Sequence, residues 1–264
     1  MVLEKFDLEG RVAIVTGSGR GLGKAMSLAL AKAGCDIVVT ARTVEQIEQT
    51  AEEIRAVGRK VLVVPTDITL KRQVDAMVDQ AIATFGKIDI LINNAGGGGG
   101  APNFFSITEE EWRSVMDTNL TGTFFCSQAA GKHMVARKEG KIINLSSGFG
   151  FRGNRTGVIY SAAKAAIVNF TRALALALAP DNVQVNAIAP GFFPTTEPQT
   201  DEARRNWERI AAHIPLQRTG RPSELGGLAV FLSSHASDYI TGETFIADGG
   251  ALAGGYAPTV AHPS

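Results

Sequence analysis

In "YSAAKAAIVNF" (residues 160–170), Tyr160 and Lys164 open a segment that is otherwise almost wholly apolar. Four residues apart, they stand one turn apart on the same face of a helix. A phenol with an ordinary pKa of about 10 is a poor base at neutral pH. An ammonium group one turn away favours its ionised form. Side by side, the two make a general acid/base and its electrostatic tuner. A hydroxyl to hold a substrate oxygen is at hand, because "KIINLSS" ends in Ser147, thirteen residues before Tyr160, with Ser146 as the alternative.

Such groups need a frame to hold them. Short apolar, β-branched runs at 11–16, 36–41, 60–66, 88–94, 141–147, 183–190 and 244–250 predict seven strands. Helical patterns lie between them at 22–33, 44–57, 70–85, 109–137, 158–179, 201–213 and 222–233. Strands that are apolar throughout are buried on both faces, so the sheet is parallel and sandwiched by helices. Alternating strands and helices with right-handed crossovers give an α/β, doubly wound, seven-stranded fold of the Rossmann type. No linker or repeat divides residues 1–264, so one domain is expected. The first strand runs into "TGSGRGLG", where Gly17, Gly21 and Gly23 allow a tight turn and close approach to a phosphate. The next helix offers its free N–H groups and positive dipole end to a dinucleotide. The "GGGGG" run at 96–100 follows a strand end and reads as a flexible loop at the site.

Composition excludes several classes. Lys plus Arg equals Asp plus Glu at 26 each, so the basic excess of a nucleic-acid binder is missing. The four histidines, His133, His213, His235 and His262, show no metal-ligand spacing, and no metal site is expected. Cys35 and Cys126 lie among apolar residues and read as buried, reduced thiols. No apolar run approaches a membrane span of about 20 residues. The N-terminus "MVLEKFDLEGR" lacks a signal-peptide layout. A cytoplasmic protein without a membrane partner is expected.

Six motifs occur in order and at familiar intervals: "TGSGRGLG", "NNAG" (93–96), "DTNLTG" with Asn119, "NLSS", "YSAAK" and "APG" (189–191). On these the chain resembles the short-chain dehydrogenase/reductase family, from about residue 8 to the "DGG" at 248–250. The resemblance implies an oxidoreductase that moves a hydride between nicotinamide and a carbonyl or secondary alcohol. It implies Tyr160 as acid/base, Lys164 as its tuner and a ribose ligand, and Ser147 holding the substrate oxygen. Asn119 would hold a water that links Lys164 to solvent. It further implies a cofactor cradle of Gly17, Ser18, Gly19, Arg20, Gly21, Leu22 and Gly23, with Asp67 on the adenine amino group and Ile68 beside the ring. Asn94, Ala95 and Gly96 would line the ribose, and Pro190, Gly191, Phe193 and Thr195 the nicotinamide end. The family usually forms tetramers through the helices near 109–137 and 158–179, so a homotetramer or homodimer is expected.

In sheets of this type an acid at the end of strand two binds the ribose 2′-hydroxyl, whereas Arg accommodates a 2′-phosphate. Here that strand ends Ala41, Arg42, with no acid before Glu45, and Asp36 is at the wrong end. Arg20 adds a second positive group. NADP(H) is therefore favoured, with NAD(H) still possible. Substrate contacts are expected from 97–105, 148–156 and a lid at 191–214. Phe149, Phe151, Phe192, Phe193 and Trp207 would supply walls suited to an apolar or ring substrate, and Arg152 and Arg155 lie nearby, a positive pair that suits a carboxylate or phosphate, although both read first as solvated loop charges. The small-molecule substrate is a sugar acid or polyol on this reading, with a 3-oxoacyl-type ketoreductase as the alternative. A non-catalytic dinucleotide-binding regulator and a sugar-nucleotide epimerase or dehydratase are the readings from other classes. The first would have lost Tyr160, Lys164 or Ser147, and the second usually adds a C-terminal substrate domain.

Overall fold

β-Branched runs alternate along the chain with amphipathic segments, and in the computed structural model, which describes residues 2–98 and 103–254, they form one sheet and its covering helices. The strands are β1 (Val12–Thr16), β2 (Asp36–Thr40), β3 (Val61–Val63), β4 (Ile90–Asn93), β5 (Gly140–Leu145), β6 (Val183–Pro190) and β7 (Thr244–Ala247). They pair in the order β3-β2-β1-β4-β5-β6-β7, all in parallel. The order reverses direction between β1 and β4, where doubly wound sheets open a crevice at the strand C-termini.

Side-chain alternation splits the core into two layers. Ala13, Val15, Ile37, Val39, Ile90 and Ile92 point to one face, under α1 (Gly21–Lys32), α2 (Val44–Ala56) and α8 (Glu224–Ser233). Ile14, Val38, Leu91 and Ile142 point to the other, under α3 (Lys71–Phe85), α5 (Gly122–Arg137) and α6 (Val158–Leu178). Both thiols are buried in these layers, and burial pushes the Cys126 pKa up to about 12. At the strand N-termini the buried Asp89 carboxylate accepts from Val12 N at 2.8 Å and Arg137 Nη2 at 2.7 Å. These bonds, with Lys87 3.0 Å away, hold its pKa below the usual carboxylate value although burial pulls the other way.

Two expectations need refinement. The helix predicted over 109–137 forms over those residues, with one wider turn inside it. It comprises α4 (Glu109–Met116), a π turn (Asp117–Thr121) and α5. Thr108 starts it with a capping box to Glu111. The π turn falls on Asn119, whose Nδ2 donates to Val115 O at 2.9 Å and Gly97 O at 2.8 Å. A side chain that bonds its own helix backbone while reaching a neighbouring loop widens the turn locally. Second, a segment of spanning length does exist: Val158–Asp181 is long and apolar enough to cross a membrane. In the fold it lies on β6 and carries the buried Lys164 into the site, and Leu176 on its outer face is 79% exposed.

Candidate active site

The C-terminal ends of the strands open into a cleft of about 670 Å³. Its floor is the turn after β1. Gly17 and Gly21 have φ of +65° and +58°, a region that penalises any side chain. A Cβ on Gly21 would stand 2.8 Å from Thr195 Cγ2, and one on Gly19 would stand 2.8 Å from Gln46 Cβ. The cradle therefore admits only glycine, and it feeds the N-terminus of α1, as a pyrophosphate site requires. Arg20, Leu22, Asp67, Ile68, Asn94, Ala95, Gly96, Pro190, Gly191 and Thr195 all line the same cleft. The residues present thus fit a dinucleotide along their whole length.

Three expected cofactor residues do not reach it. Ser18 is fully buried, its Oγ accepting from Thr40 N at 2.8 Å, so it pins β2 to the turn. Gly23 faces the backbone oxygen of Gly17, and its missing side chain lets α1 pack on the turn. Phe193 packs on the core layer under α8, with its ring filling the space beside Gly220. Conversely, Thr40, Ala41, Thr43, Gln46, Thr66, Thr118, Leu145 and Thr196 line the cleft and were not expected. Most of them stand at or after strand ends, whereas Gln46 is on α2 and Thr118 in the π turn, and no motif in the sequence marks them. Gly99 and Gly100 of the glycine run lie outside the described residues.

Arg42 and Arg20 stand together at the β2 end of the cleft. Neither has an ion-pair partner among the described residues, so two positive charges face a cavity uncompensated. Asp67 Oδ1 accepts from Thr69 N at 3.0 Å and Thr69 Oγ1 at 2.7 Å.

At the opposite end Ser147, Tyr160 and Lys164 converge, as the motif spacing predicts. Ser146 and Ser147 are now distinguishable. Ser146 Oγ donates to Lys164 O at 2.8 Å and is structural, whereas the Ser147 side chain hydrogen-bonds Tyr160. Lys164 Nζ lies 5.5 Å from the Tyr160 ring centroid and donates to Leu145 O at 2.7 Å. Two of its three protons remain for other partners. Asn119 Oδ1 is buried with no partner among the described residues. A Cβ on Gly96 would stand 2.5 Å from that oxygen and 3.4 Å from Lys164 Nζ, so the glycine keeps open the gap between them. An orphan acceptor facing an ammonium with spare donors is where a bridging water belongs.

The electrostatics differ from the expectation. Burial raises the Tyr160 pKa, opposed by the Ser147 hydrogen bond, and Lys164 does not offset it. Burial also pushes Lys164 down to about 8. In the free chain desolvation acts on both groups and favours their neutral forms, so the sequence argument for a phenolate misjudged which effect dominates. Arg152 also departs from its expected role. It is partly buried, with Cζ 4.6 Å from the Phe149 ring centroid, whereas Arg155 is exposed. On the far side Phe192 meets Trp207 of α7 (Asp201–Ala212) edge to face at 6.4 Å.

Comparison with known proteins agrees with this architecture. The chain is 43% identical over 257 residues to a 2-dehydro-3-deoxy-D-gluconate 5-dehydrogenase of Escherichia coli (strain K12), covering 96% of this chain and 100% of that protein. It is 40% identical to a 3-oxoacyl-[acyl-carrier-protein] reductase of Synechocystis, covering 92% and 97%. The structure of a gluconate 5-dehydrogenase from Burkholderia cenocepacia, in complex with NADP and tartrate, superposes with a TM-score of 0.88 at 36% identity, covering 96% and 99%. A family model described as short chain dehydrogenase matches residues 11–206. With the glycine cradle, the sheet order and the Ser-Tyr-Lys cluster in place, the chain belongs to the short-chain dehydrogenase family.

Proposed function

We propose that this oxidoreductase interconverts a secondary alcohol and a ketone of a sugar acid, using NADP(H). The observation that carries the reading is one cleft with Ser147, Tyr160 and Lys164 at one end and the uncompensated Arg20 and Arg42 at the other. When bound, the nicotinamide cofactor gives or takes the hydride. The chain's own residues supply the rest. Ser147 and Tyr160 hold the substrate oxygen, and the Tyr160 hydroxyl gives or takes its proton. Lys164 holds the nicotinamide ribose, and Asn119, through a water, links Lys164 to solvent. Gly17, Gly19 and Gly21 receive the pyrophosphate. Asp67, Ile68, Asn94, Ala95 and Gly96 hold the adenosine.

NADP(H) over NAD(H) rests on Arg20 and Arg42, and a relative of the same fold is solved with NADP. The sugar-acid substrate rests on the gluconate-type relatives. The ketoreductase alternative rests on the 3-oxoacyl relative. A non-catalytic regulator has no comparable support, since the whole catalytic set is assembled. The segment at 191–214 serves as a substrate lid, with Trp207 edge to face against Phe192. Trp112, Phe124 and Leu176, exposed at 45%, 41% and 79% on α4, α5 and α6, suit burial against a second copy in a homodimer or homotetramer. The buried, reduced thiols fit a cytoplasmic setting.

The test follows nicotinamide absorbance with NADPH or NADH and three ketones: 5-keto-D-gluconate, a neutral ketohexose and a short 3-oxoacyl thioester. Highest kcat/KM on the keto acid with NADPH supports the proposal. Preference for the thioester transfers it to the ketoreductase reading.

A further inference from the structure

The groups proposed to act on substrate come from two elements: Ser147 follows β5, and Tyr160 and Lys164 stand on α6. Their spacing therefore depends on where α6 lies along β5. The buried face of α6 carries Ala163, Ile167, Val168 and Ala175. Apolar burial of that kind is non-directional, so it holds the helix down without fixing its slide or its rotation. Directional bonds must do that.

Four successive residues at the end of β5 each bond α6. Asn144 Nδ2 donates to Thr171 Oγ1 at 3.0 Å, and Leu145 O accepts from Lys164 Nζ at 2.7 Å. Ser146 Oγ donates to Lys164 O at 2.8 Å, and the Ser147 side chain hydrogen-bonds Tyr160. Ile142, Asn144 and Ser146 alternate onto one face of the strand, which sets both polar side chains against the helix. Asn144 and Thr171 are fully buried, and Ser146 nearly so. Asn144 is held in turn, its Oδ1 accepting from Asn93 Nδ2 at 2.9 Å. The anchors on α6, Lys164 O and Thr171 Oγ1, belong to residues seven apart, two turns along one face and about 10 Å down the axis. Two fixed points so far apart determine both position and rotation.

The Ser146 bond is not needed to satisfy the helix. Inside an α-helix the Lys164 carbonyl is already served by the N–H four residues on. The bond is also covered. The one-turn helix Gly148–Gly150 folds over it, and a Cβ on Gly150 would stand 2.7 Å from Ser146 Oγ and 2.8 Å from Lys164 O.

We propose that Ser146, together with the Asn144–Thr171 pair, fixes α6 against β5 so that Ser147 and Tyr160 meet one substrate oxygen. The inference rests on the roles given above to Ser147, Tyr160 and Lys164 and goes beyond them. Ser146 borders the cleft, but its hydroxyl is turned to the helix backbone, so it is a positioning residue and not a catalytic one.

The experiment measures kcat and KM for wild type, Ser146→Ala, Thr171→Val, Thr171→Ser and Ser127→Ala, with NADPH and the ketone, of those named above, that wild type reduces fastest. Urea unfolding gives the stability of each. Ser127 is the control: its hydroxyl is buried and accepts from Asn93 Nδ2 at 2.9 Å, a bond from α5 to β4 rather than to α6. Misplacing reacting groups by about 1 Å costs on the order of 100-fold, so Ser146→Ala and Thr171→Val lower kcat roughly 10- to 100-fold. KM for NADPH changes at most a few-fold, because the glycine cradle sits on β1 and α1. Thr171→Ser keeps the hydroxyl and stays close to wild type, and Ser127→Ala loses stability but not kcat. Wild-type kcat in Ser146→Ala, or an equal loss of kcat in Ser127→Ala, overturns the proposal and leaves these bonds a matter of stability alone. If Ser146→Ala does not fold, the Thr171 pair decides: a slow Val variant beside a fast Ser variant supports the proposal, and equal rates overturn it. Tyr160→Phe is measured alongside. If it keeps turnover, the acid/base reading itself fails; if it is inactive while Ser146→Ala is fully active, only the positioning role fails.

Discussion

Lys164 is buried, carries one protein hydrogen bond and has its pKa pushed from 10.5 down to about 8. Between those values the unfolded chain binds more protons than the folded one, so wild-type stability rises with pH across that window. At about 1.4 kcal/mol per unit, keeping this ammonium buried costs about 3 kcal/mol at neutral pH. Lys164→Met removes the charge at similar volume. The cofactor-free variant should be more stable than wild type at pH 7, and about 2 kcal/mol of that advantage should vanish by pH 9.5. Losing the bond to Leu145 O shifts the whole difference but not its slope. Urea unfolding of both proteins at half-unit steps from pH 7 to 9.5 gives the difference curve directly. Ionisations common to the two proteins cancel. A flat difference would show that Lys164 stays fully charged in the fold, compensated by water or by Asn119 Oδ1, and would refute the desolvation argument.

Tyr160→Phe should remove nearly all turnover, about 10²- to 10⁴-fold or more, while NADPH affinity by fluorescence stays within a few-fold; retained activity would end the acid/base assignment. Arg42→Asp should invert the cofactor preference, because an acid accepts from a 2′-hydroxyl and repels a phosphate; the check is kcat/KM for NADPH and NADH in both proteins. Gly96→Ala forces a methyl to 2.5 Å from Asn119 Oδ1, so it should cost about 1–3 kcal/mol in urea unfolding and lower kcat; a fully active, equally stable variant would mean the gap is not used. Asp89→Asn should lower stability at neutral pH, and the penalty should shrink as pH falls below about 4, since a carboxylate with a depressed pKa stabilises only where the folded protein keeps it ionised. A penalty independent of pH would show that Asp89 acts through its shape alone.

Much of the frame was legible because its signals are local. Each strand is a short β-branched run, and the glycine turn shows itself by spacing, so the seven strands lie within a few residues of their expected bounds. What escaped depends on packing across distance. Nothing in "TGSGRGLG" says that Ser18 turns inward to Thr40 while Gly19 faces the cleft. The π turn at Asn119 was hinted at by an Asn inside an apolar helix, but its cause is the Gly97 carbonyl on a distant loop. Arg152 reads as a solvated charge in "GFGFRGNR", because only the fold places it on Phe149 against Tyr160.

The same limit explains the phenol. Sequence spacing puts Lys164 near Tyr160 but says nothing of how dry their surroundings are. Burial drives both groups toward neutrality, and a neutral phenol beside a partly neutral amine is a poor acid/base pair. The spare donors of Lys164 and the orphan Oδ1 of Asn119 point into the space that a ribose and its waters would fill. A ribose oxygen accepting from Lys164 favours the ammonium, and a positive ring beside Tyr160 favours the phenolate. On the proposed reading, the acid/base strength of this pair would depend on an occupied cleft, because the residues proposed to hold the cofactor would need it to reach their working charge. The shared burial of Tyr160 and Lys164 would then favour proton transfer in the loaded cleft over the empty one.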